Sequence, residues 1–369
     1  MEDKNEHLRL AKVVKETHAD LRKQFRTCEG DFNKVWEAHC SNEGLLSQYA
    51  DAMHHLAVDH WTKHPETRIE WCRDIAVDYF LHSGLERALQ KDARRQFHKE
   101  HGTAYVNHGS RDGQCEAKNR SDVTKGHSMK CGINEQRTVG SAFEGPIRLL
   151  DVGSCFNPFL EFEEFLAVGI DISPAKSSVH RCDFLLLELS EPLQVAPDTL
   201  NTYMSNLREP IERIPRQSFN VVVFSLLLEY FPAPYQRWIC CQKAHDLLSL
   251  NGLLLIITPD SHKQHRNAPM MKSWKTAIES MGFSRWKYVK QQHIHCMAFR
   301  KIPKQETGEC SLLNEITPDM LYIPQDFNTN IDNEPDWFGS AYDEESFRRA
   351  LCELPVLNIE DEEEETELS

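Results

Sequence analysis

The hydrophobic period of this chain changes at Ile147, and that change limits the folds open to it. Downstream, apolar residues come in short runs: Ile147 to Val152, Ala167 to Ile172, Val221 to Phe224 and Leu253 to Thr258. Runs of that length, bounded by turn residues, read as strands buried on both faces. Helical stretches separate them. One is predicted between the turn at 153–158 and residue 165. A second runs from Pro234 to Leu248 with Asn251-Gly252 as its stop, and a third from Met270 to Met281 ahead of Gly282. Residues 285–291 and 293–301 read as a closing strand pair. Strands alternating with helices predict a mainly parallel α/β sheet, here with an antiparallel edge.

Upstream of residue 102 the spacing is helical. Leu10, Val14, Thr17, Leu21 and Phe25 recur every three or four residues on one face. Asp31 opens a short segment holding Phe32, Val35 and Trp36. Asn42 is placed to cap the next helix, which carries Leu45, Tyr49, Met53, Leu56 and His60 along one side. Pro65 suits the first turn of another, with Ile69, Cys72, Ile75 and Tyr79, and Ser83-Gly84-Leu85-Glu86 starts a charged helix through His101. Residues 102–145 hold seven glycines in 44 residues and read as a flexible linker. The expected divisions are a helical domain over 1–101, the linker, a sheet domain over 146–302 and a C-terminal segment over 303–369. In that segment Met320 to Phe327 is an apolar island suited to docking on the body. Glu360 to Glu367, seven acids in eight residues, predicts a disordered acidic tail.

Charge placement matters more than the sum. The net charge is −15, but residues 302–369 alone carry −16, so the body is near +1 and its partners are not decided by acidity. No run approaches 18 apolar residues, and no membrane span is predicted. The polar first seven residues predict neither a signal nor a transit peptide, hence a cytoplasmic chain whose twelve cysteines are free thiols. His60 and His64 share a helix face, but two ligands without a third read as a polar face, and no metal site is predicted.

The chemistry concentrates at the ends of the first three strands. Asp151-Val152-Gly153-Ser154 follows the first, Asp171 lies twenty residues on at the end of the second, and Cys182-Asp183-Phe184 falls where the third should end. In an open α/β sheet these positions face the crevice that binds ligands. Gly153 allows close approach to the backbone, Asp171 can take ribose hydroxyls, Asp183 can accept from an adenine amine, and Phe184 can stack on the ring. The second and third glycines of the dinucleotide fingerprint are missing. That disfavours a pyrophosphate and favours an adenosine ligand without phosphates, of which S-adenosylmethionine is the common one.

Arg148 to Phe159, Phe224-Ser225-Leu226-Leu227-Leu228, Pro234 to Cys241 and Leu254 to Ser261 resemble the Bmt-type class I methyltransferases. Arg68-Ile69-Glu70-Trp71-Cys72 and Tyr322 to Asn328 extend the resemblance to the S-adenosylmethionine sensors of that family, which act upstream of TOR complex 1. It implies a class I methyltransferase (Rossmann-like) sheet with an N-terminal all-helical domain. It also implies S-adenosylmethionine or S-adenosylhomocysteine as ligand, with Gly153, Asp171, Asp183 and Phe184 on the adenosine and Ser225 on the methionine side. Arg68 is implied to meet the ligand carboxylate as the helical part folds over it; on the residues alone, Arg68 reads as a surface partner of Glu66 or Glu70. The implied partners are the GATOR complex and its KICSTOR scaffold, reached at the lysosomal surface.

The residues together with the resemblance leave two functions open, the second of them implied by the resemblance alone. One is methyl transfer to an adenine of ribosomal RNA; the other is a sensor that negatively regulates TOR complex 1 and releases its partner on binding the ligand. Amino-methyltransferases place polar groups after the fourth strand, where this chain reads Ser225-Leu226-Leu227-Leu228. Glu229 is the one acid at hand, and it is expected to face a helix or solvent. No dense basic stripe with interleaved aromatics marks an RNA track, the helix face of Arg87, Lys91, Arg94, Arg95 and Lys99 being a solvated one. The sensor is therefore the expected function, with no catalytic residue and no nucleic-acid partner.

Overall fold

The computed structural model describes residues 2–61, 68–101, 143, 145–260, 264–291, 294–303 and 316–327. His64, Pro65, most of the expected linker and the acidic tail lie outside these residues. The chain forms two compact units, Met1–Asp78 with Gly145–Ser369, and Tyr79–Glu144. The helices are α1 (Glu2–Thr27), α2 (Phe32–Cys40), α3 (Glu43–His55), α4 (Arg68–Leu81), α5 (Gly84–His101), α6 (Pro197–Ser205), α7 (Pro234–Leu247) and α8 (Gln264–Ser280). The strands are β1 (Ile147–Val152), β2 (Phe165–Asp171), β3 (Val179–Arg181), β4 (Glu188–Ser190), β5 (Arg213–Pro215), β6 (Phe219–Ser225), β7 (Leu248–Pro259), β8 (Phe283–Gln291) and β9 (Ile294–Lys301).

Seven strands form one sheet in the order β3-β2-β1-β6-β7-β9-β8, and β4 with β5 form a separate parallel pair. The pairings from β3 to β7 are parallel, while β9 runs antiparallel to both β7 and β8. The unbroken apolar runs lie in the middle: every residue from Phe219 to Phe224 is buried, as are Leu253 to Ile257. Burial on both faces explains why these strands lack alternation. In the unit that contains the sheet, α1 buries Leu10, Val14, Thr17 and Leu21. The expected caps form, Asp31 accepting from the Lys34 N–H at 3.1 Å and Asn42 from the Leu45 N–H at 3.2 Å.

Two expectations are corrected. The segment between β1 and β2 contains no α-helix, only a 3-10 turn at Pro158–Glu161. Gly153, Cys155 and Asn157 all take positive φ, and left-handed residues at every second position block a helix before Pro158. Phe159 instead inserts as a fully buried plug against Phe165, with ring centroids 6.0 Å apart. Gly252 does not stop α7 either. That helix ends at Leu247 and β7 begins at once, so Gly252 lies inside the strand. A Cβ there would meet the Asn220 and Ser249 carbonyl oxygens at 2.9 Å, which is the reason for glycine.

The apolar island docks as expected. Leu321 and Ile323 are buried, the Trp274 indole N–H donates to the Tyr322 carbonyl at 2.8 Å, and the Ser273 hydroxyl donates to that of Met320 at 2.7 Å.

Candidate functional site

At the carboxyl ends of β1, β2 and β6 lies a cavity of about 770 Å3, including its mouth. Its floor carries Gly153, Asp171, Asp183, Phe184 and Ser225. Its roof comes from the helical region, with Trp36 of α2 and Leu46, Tyr49, Ala50 and Met53 of α3. Five of the six residues read from the sequence thus share one cavity. The sixth, Arg68 at the start of α4, reaches the same place: its Nε–H donates to the Ser225 hydroxyl at 2.8 Å. Arg68 is half-buried, Glu70 is among the charges that act on it, and Glu66 lies outside the described residues. Burial lowers the Arg68 pKa from the ordinary arginine value, and the charge of Asp151 opposes that shift.

Local geometry fixes each floor residue. Asp171 ends β2, and its carboxylate accepts from the Ser173 N–H at 2.8 Å and the Cys155 N–H at 3.2 Å. Burial pushes its carboxyl up to about 6 against these hydrogen bonds. Asp151 at the end of β1 is buried and accepts from the Ser154 hydroxyl at 2.7 Å. Burial raises it to about 7, with Ser154 and Arg68 pulling the other way. Gly153 has φ +72°, and a Cβ would lie 2.7 Å from Leu227 Cδ1, so a side chain there drives Leu227 from its place in the lining.

Asp183 sits two residues beyond β3. One carboxylate oxygen accepts from the Leu185 N–H at 2.9 Å, and the other from the Trp36 indole N–H at 2.8 Å. The Leu186 N–H and the Cys40 thiol approach the same two oxygens at 3.4 and 3.8 Å, so a further donor would compete with these weaker contacts. Phe184 is buried against Phe224 with centroids 5.8 Å apart.

Of the two positions expected for Glu229, facing a helix or facing solvent, the solvent-facing one is not found. Glu229 is 5% exposed, in the 3-10 turn Leu228–Tyr230. Burial raises its carboxyl to about 7 against the pull of Thr258, Arg237 and Arg22. Acids at a strand end usually find water, and nothing local in the sequence signals the helices that cover this one.

The roof residues were not read as site residues. The helices α1 to α3 are held by polar contacts, two to the loop after β6 and one between α1 and α3. Arg22 donates to the Glu229 carbonyl, His39 bonds the Tyr230 hydroxyl, and His18 Nε2 lies 3.0 Å from the Tyr49 hydroxyl. Burial lowers His18 to about 3 and His39 to about 4, so both are neutral near pH 7. Tyr49 and Tyr230 pack edge to face at 5.1 Å. These partners stand more than 30 residues apart in the chain, out of reach of any short motif.

The arrangement can hold a nucleoside with an amino-acid arm. A carboxylate at the end of β2 suits a vicinal diol, a carboxylate beside a buried aromatic suits an amine-bearing base, and a guanidinium suits a carboxylate. Phosphates are poorly served, because the floor presents acids and no run of backbone N–H groups at a helix N-terminus.

The strand order, with its antiparallel last pair and an acid at or just past the end of β1, β2 and β3, defines a class I methyltransferase fold. Solved structures of low similarity include the N-methyltransferase NodS from Bradyrhizobium japonicum with S-adenosyl-l-homocysteine. It is 13% identical with a TM-score of 0.28, covering 42% of this chain and 78% of that one. A SAM dependent methyltransferase from Archaeoglobus fulgidus is 13% identical with a TM-score of 0.30, over 43% and 88%. No family model matches. Curated relatives are much nearer. The S-adenosylmethionine sensor upstream of mTORC1 of Xenopus laevis is 48% identical over 363 residues, 96% of this chain and 85% of the relative. Its counterpart in Danio rerio is 49% identical over 343 residues, 92% and 81%. The chain belongs to the family of S-adenosylmethionine sensors upstream of mTORC1.

Proposed function

We propose that the cavity binds S-adenosylmethionine and that the protein is a sensor, not a methyl-transferring enzyme. One observation carries the choice. Where an amino-methyltransferase presents polar groups to the reacting centre, this cavity is lined by Leu226 and Leu227, next to Ser225. An amine nucleophile needs a positioned base or hydrogen-bond acceptor at the methyl group, and leucine supplies neither. Glu229, the nearest acid in sequence, is not among the lining residues.

In this reading Asp171 holds the ribose, Asp183 and Phe184 the adenine, and Ser225 with Arg68 the methionine end. Gly153 lets the ligand lie close to the chain. The helical residues through 101, the stretch 102–145 and the sheet domain 146–302 act as separate functional divisions, with α2 and α3 closing over the ligand. The liganded form releases the GATOR and KICSTOR complexes, and the unliganded form binds them and restrains TOR complex 1. No helix among the described residues is long and apolar enough to cross a membrane, so any place at the lysosomal surface comes through those partners.

Calorimetry with S-adenosylmethionine and S-adenosylhomocysteine, followed by a methyl-transfer assay on total RNA, tests both halves. The expected result is saturable binding with no transfer. Stoichiometric methylation of a defined RNA adenine overturns the sensor in favour of the enzyme.

A further inference from the structure

Arg237 of α7 joins two parts of the molecule. It is fully buried, and its guanidinium spends every donor on a fixed partner. Nε donates to the Leu228 carbonyl at 3.1 Å, and Nη2 to that of Phe231 at 2.9 Å. Nη1 donates to the Leu321 carbonyl at 2.8 Å. The remaining two N–H groups take both oxygens of Asp326, at 2.7 and 2.8 Å. Leu228 and Phe231 belong to the loop whose Leu226, Leu227, Tyr230 and Phe231 line the cavity. Leu321 and Asp326 belong to the docked C-terminal segment 316–327, none of whose residues lines it.

We infer that the segment 316–327 is a readout element for the cavity, coupled to it through Arg237. The inference rests on the proposed reading of the cavity as a S-adenosylmethionine site. A buried guanidinium cannot leave donors unpaired without a large desolvation cost, so its two sets of partners move together. When ligand fixes the 226–231 loop, the Leu228 and Phe231 carbonyls hold the fork in one orientation, and that orientation presents it to Asp326. Docking of the segment in turn orders the loop. Asp326 also closes its own turn, accepting from the Ile323 N–H at 2.8 Å, so losing the pair unfastens the segment and not one side chain alone. Beyond Phe327 the sequence carries a net charge of −12, so a change in docking is passed to the most acidic part of the chain. Coupling of this kind is reciprocal by thermodynamic necessity.

Hydrogen exchange of the full chain with and without S-adenosylmethionine tests this directly. Amides within 318–327, those of Met320, Ile323 and Asp326 among them, are expected to exchange at least about threefold more slowly with ligand, a modest coupling. Calorimetry of Asp326→Asn, which keeps the shape and removes the charge, is expected to show affinity roughly three- to tenfold weaker, with ligand protection of the segment lost. Ser273→Ala loosens the segment from α8 without touching Arg237, and is expected to weaken binding in the same direction by less. Should Asp326→Asn fail to fold, the wild-type exchange measurement decides alone. Ligand binding to the wild type with unchanged exchange in 318–327 overturns the coupling. Absence of any S-adenosylmethionine binding by the wild type overturns the reading of the cavity, and this inference with it.

Discussion

The indole N–H of Trp36, on α2, donates to Asp183 at 2.8 Å across 147 positions of sequence. This bond fastens the roof of the cavity to its floor at the carboxylate proposed to read the adenine. The same ring packs on Phe231 at 5.4 Å and edge-on to Tyr230 at 6.0 Å, so the indole is held by apolar contact as well.

Trp36→Phe separates the two roles. The aromatic contacts survive in large part and the donor is lost. A hydrogen bond to a charged group contributes about 1.5–3 kcal/mol, and half-buried Asp183 can recover part of that from water, so a loss near about 1.5 kcal/mol is expected. Urea unfolding should show a lower midpoint with an unchanged slope. Calorimetry should show weaker S-adenosylmethionine binding, because the roof is less firmly seated. Unchanged affinity would mean that the Trp36 bond is structural only.

Three buried carboxyls make stability depend on pH in an unusual direction. Burial raises Asp151 and Glu229 to about 7 and Asp171 to about 6, all above their unfolded values near about 4. Between those limits the native state holds more protons than the unfolded one. Their contribution is therefore full below about pH 4 and is lost as pH rises through 6 to 7. The unliganded protein should melt at a higher temperature at pH 5.5 than at pH 7.5, and Glu229→Gln should flatten the difference. Ligand binding should run the other way. A ribose diol and a cationic ligand favour ionised Asp171, so affinity should rise between pH 5.5 and 7.5 with proton release. Calorimetry in buffers of different ionisation enthalpy reads that release.

Gly153 combines a left-handed backbone with contact against Leu227, and Gly153→Ala should suffer from both. The αL conformation costs a residue with a Cβ about 1–2 kcal/mol, a fall of several degrees in Tm for a domain of this size. The flexible end of Leu227 can move aside only by leaving its place in the cavity wall. Ligand affinity should therefore fall by more than the stability loss explains. A variant that melts lower yet binds as well as the wild type would place the ligand away from Gly153.

The sequence shows the floor of the site more clearly than its roof, and the reason is chain distance. Asp151, Gly153, Asp171 and Asp183 fall at strand ends whose spacing is set by a parallel sheet, so one pattern of apolar runs locates them all. Trp36, Tyr49 and Met53 read as ordinary core positions of amphipathic helices, and only the packing of those helices on the sheet turns them toward a ligand. Asn251-Gly252 has the composition of a helix stop, but strand pairing against Asn220 claims the glycine for close approach. Glu229 offers no such pattern: the Arg22 guanidinium that bonds its carbonyl comes from α1, 207 positions earlier in the chain.

The strongest separation of sensor from enzyme comes from comparing two variants at opposite ends of the ligand. Asp171→Ala removes the acceptor proposed for the ribose. Arg68→Ala removes a group that belongs to the helical region and reaches the sheet through Ser225 at 2.8 Å. Each should weaken S-adenosylmethionine binding by roughly ten- to a hundredfold, the range for losing a charged hydrogen-bond partner. If the protein is a sensor, capture of the GATOR and KICSTOR complexes by the wild type falls as ligand rises. Asp171→Ala then stays bound at ligand levels that release the wild type. Arg68→Ala should behave alike only if the helical region joins the sheet in holding the ligand, so it tests the roof as Asp171→Ala tests the floor. A useful switch needs a coupling of at least about tenfold between ligand and partner. Partner capture that ignores S-adenosylmethionine in the wild type, alongside RNA methylation lost in both variants, would assign the site to catalysis.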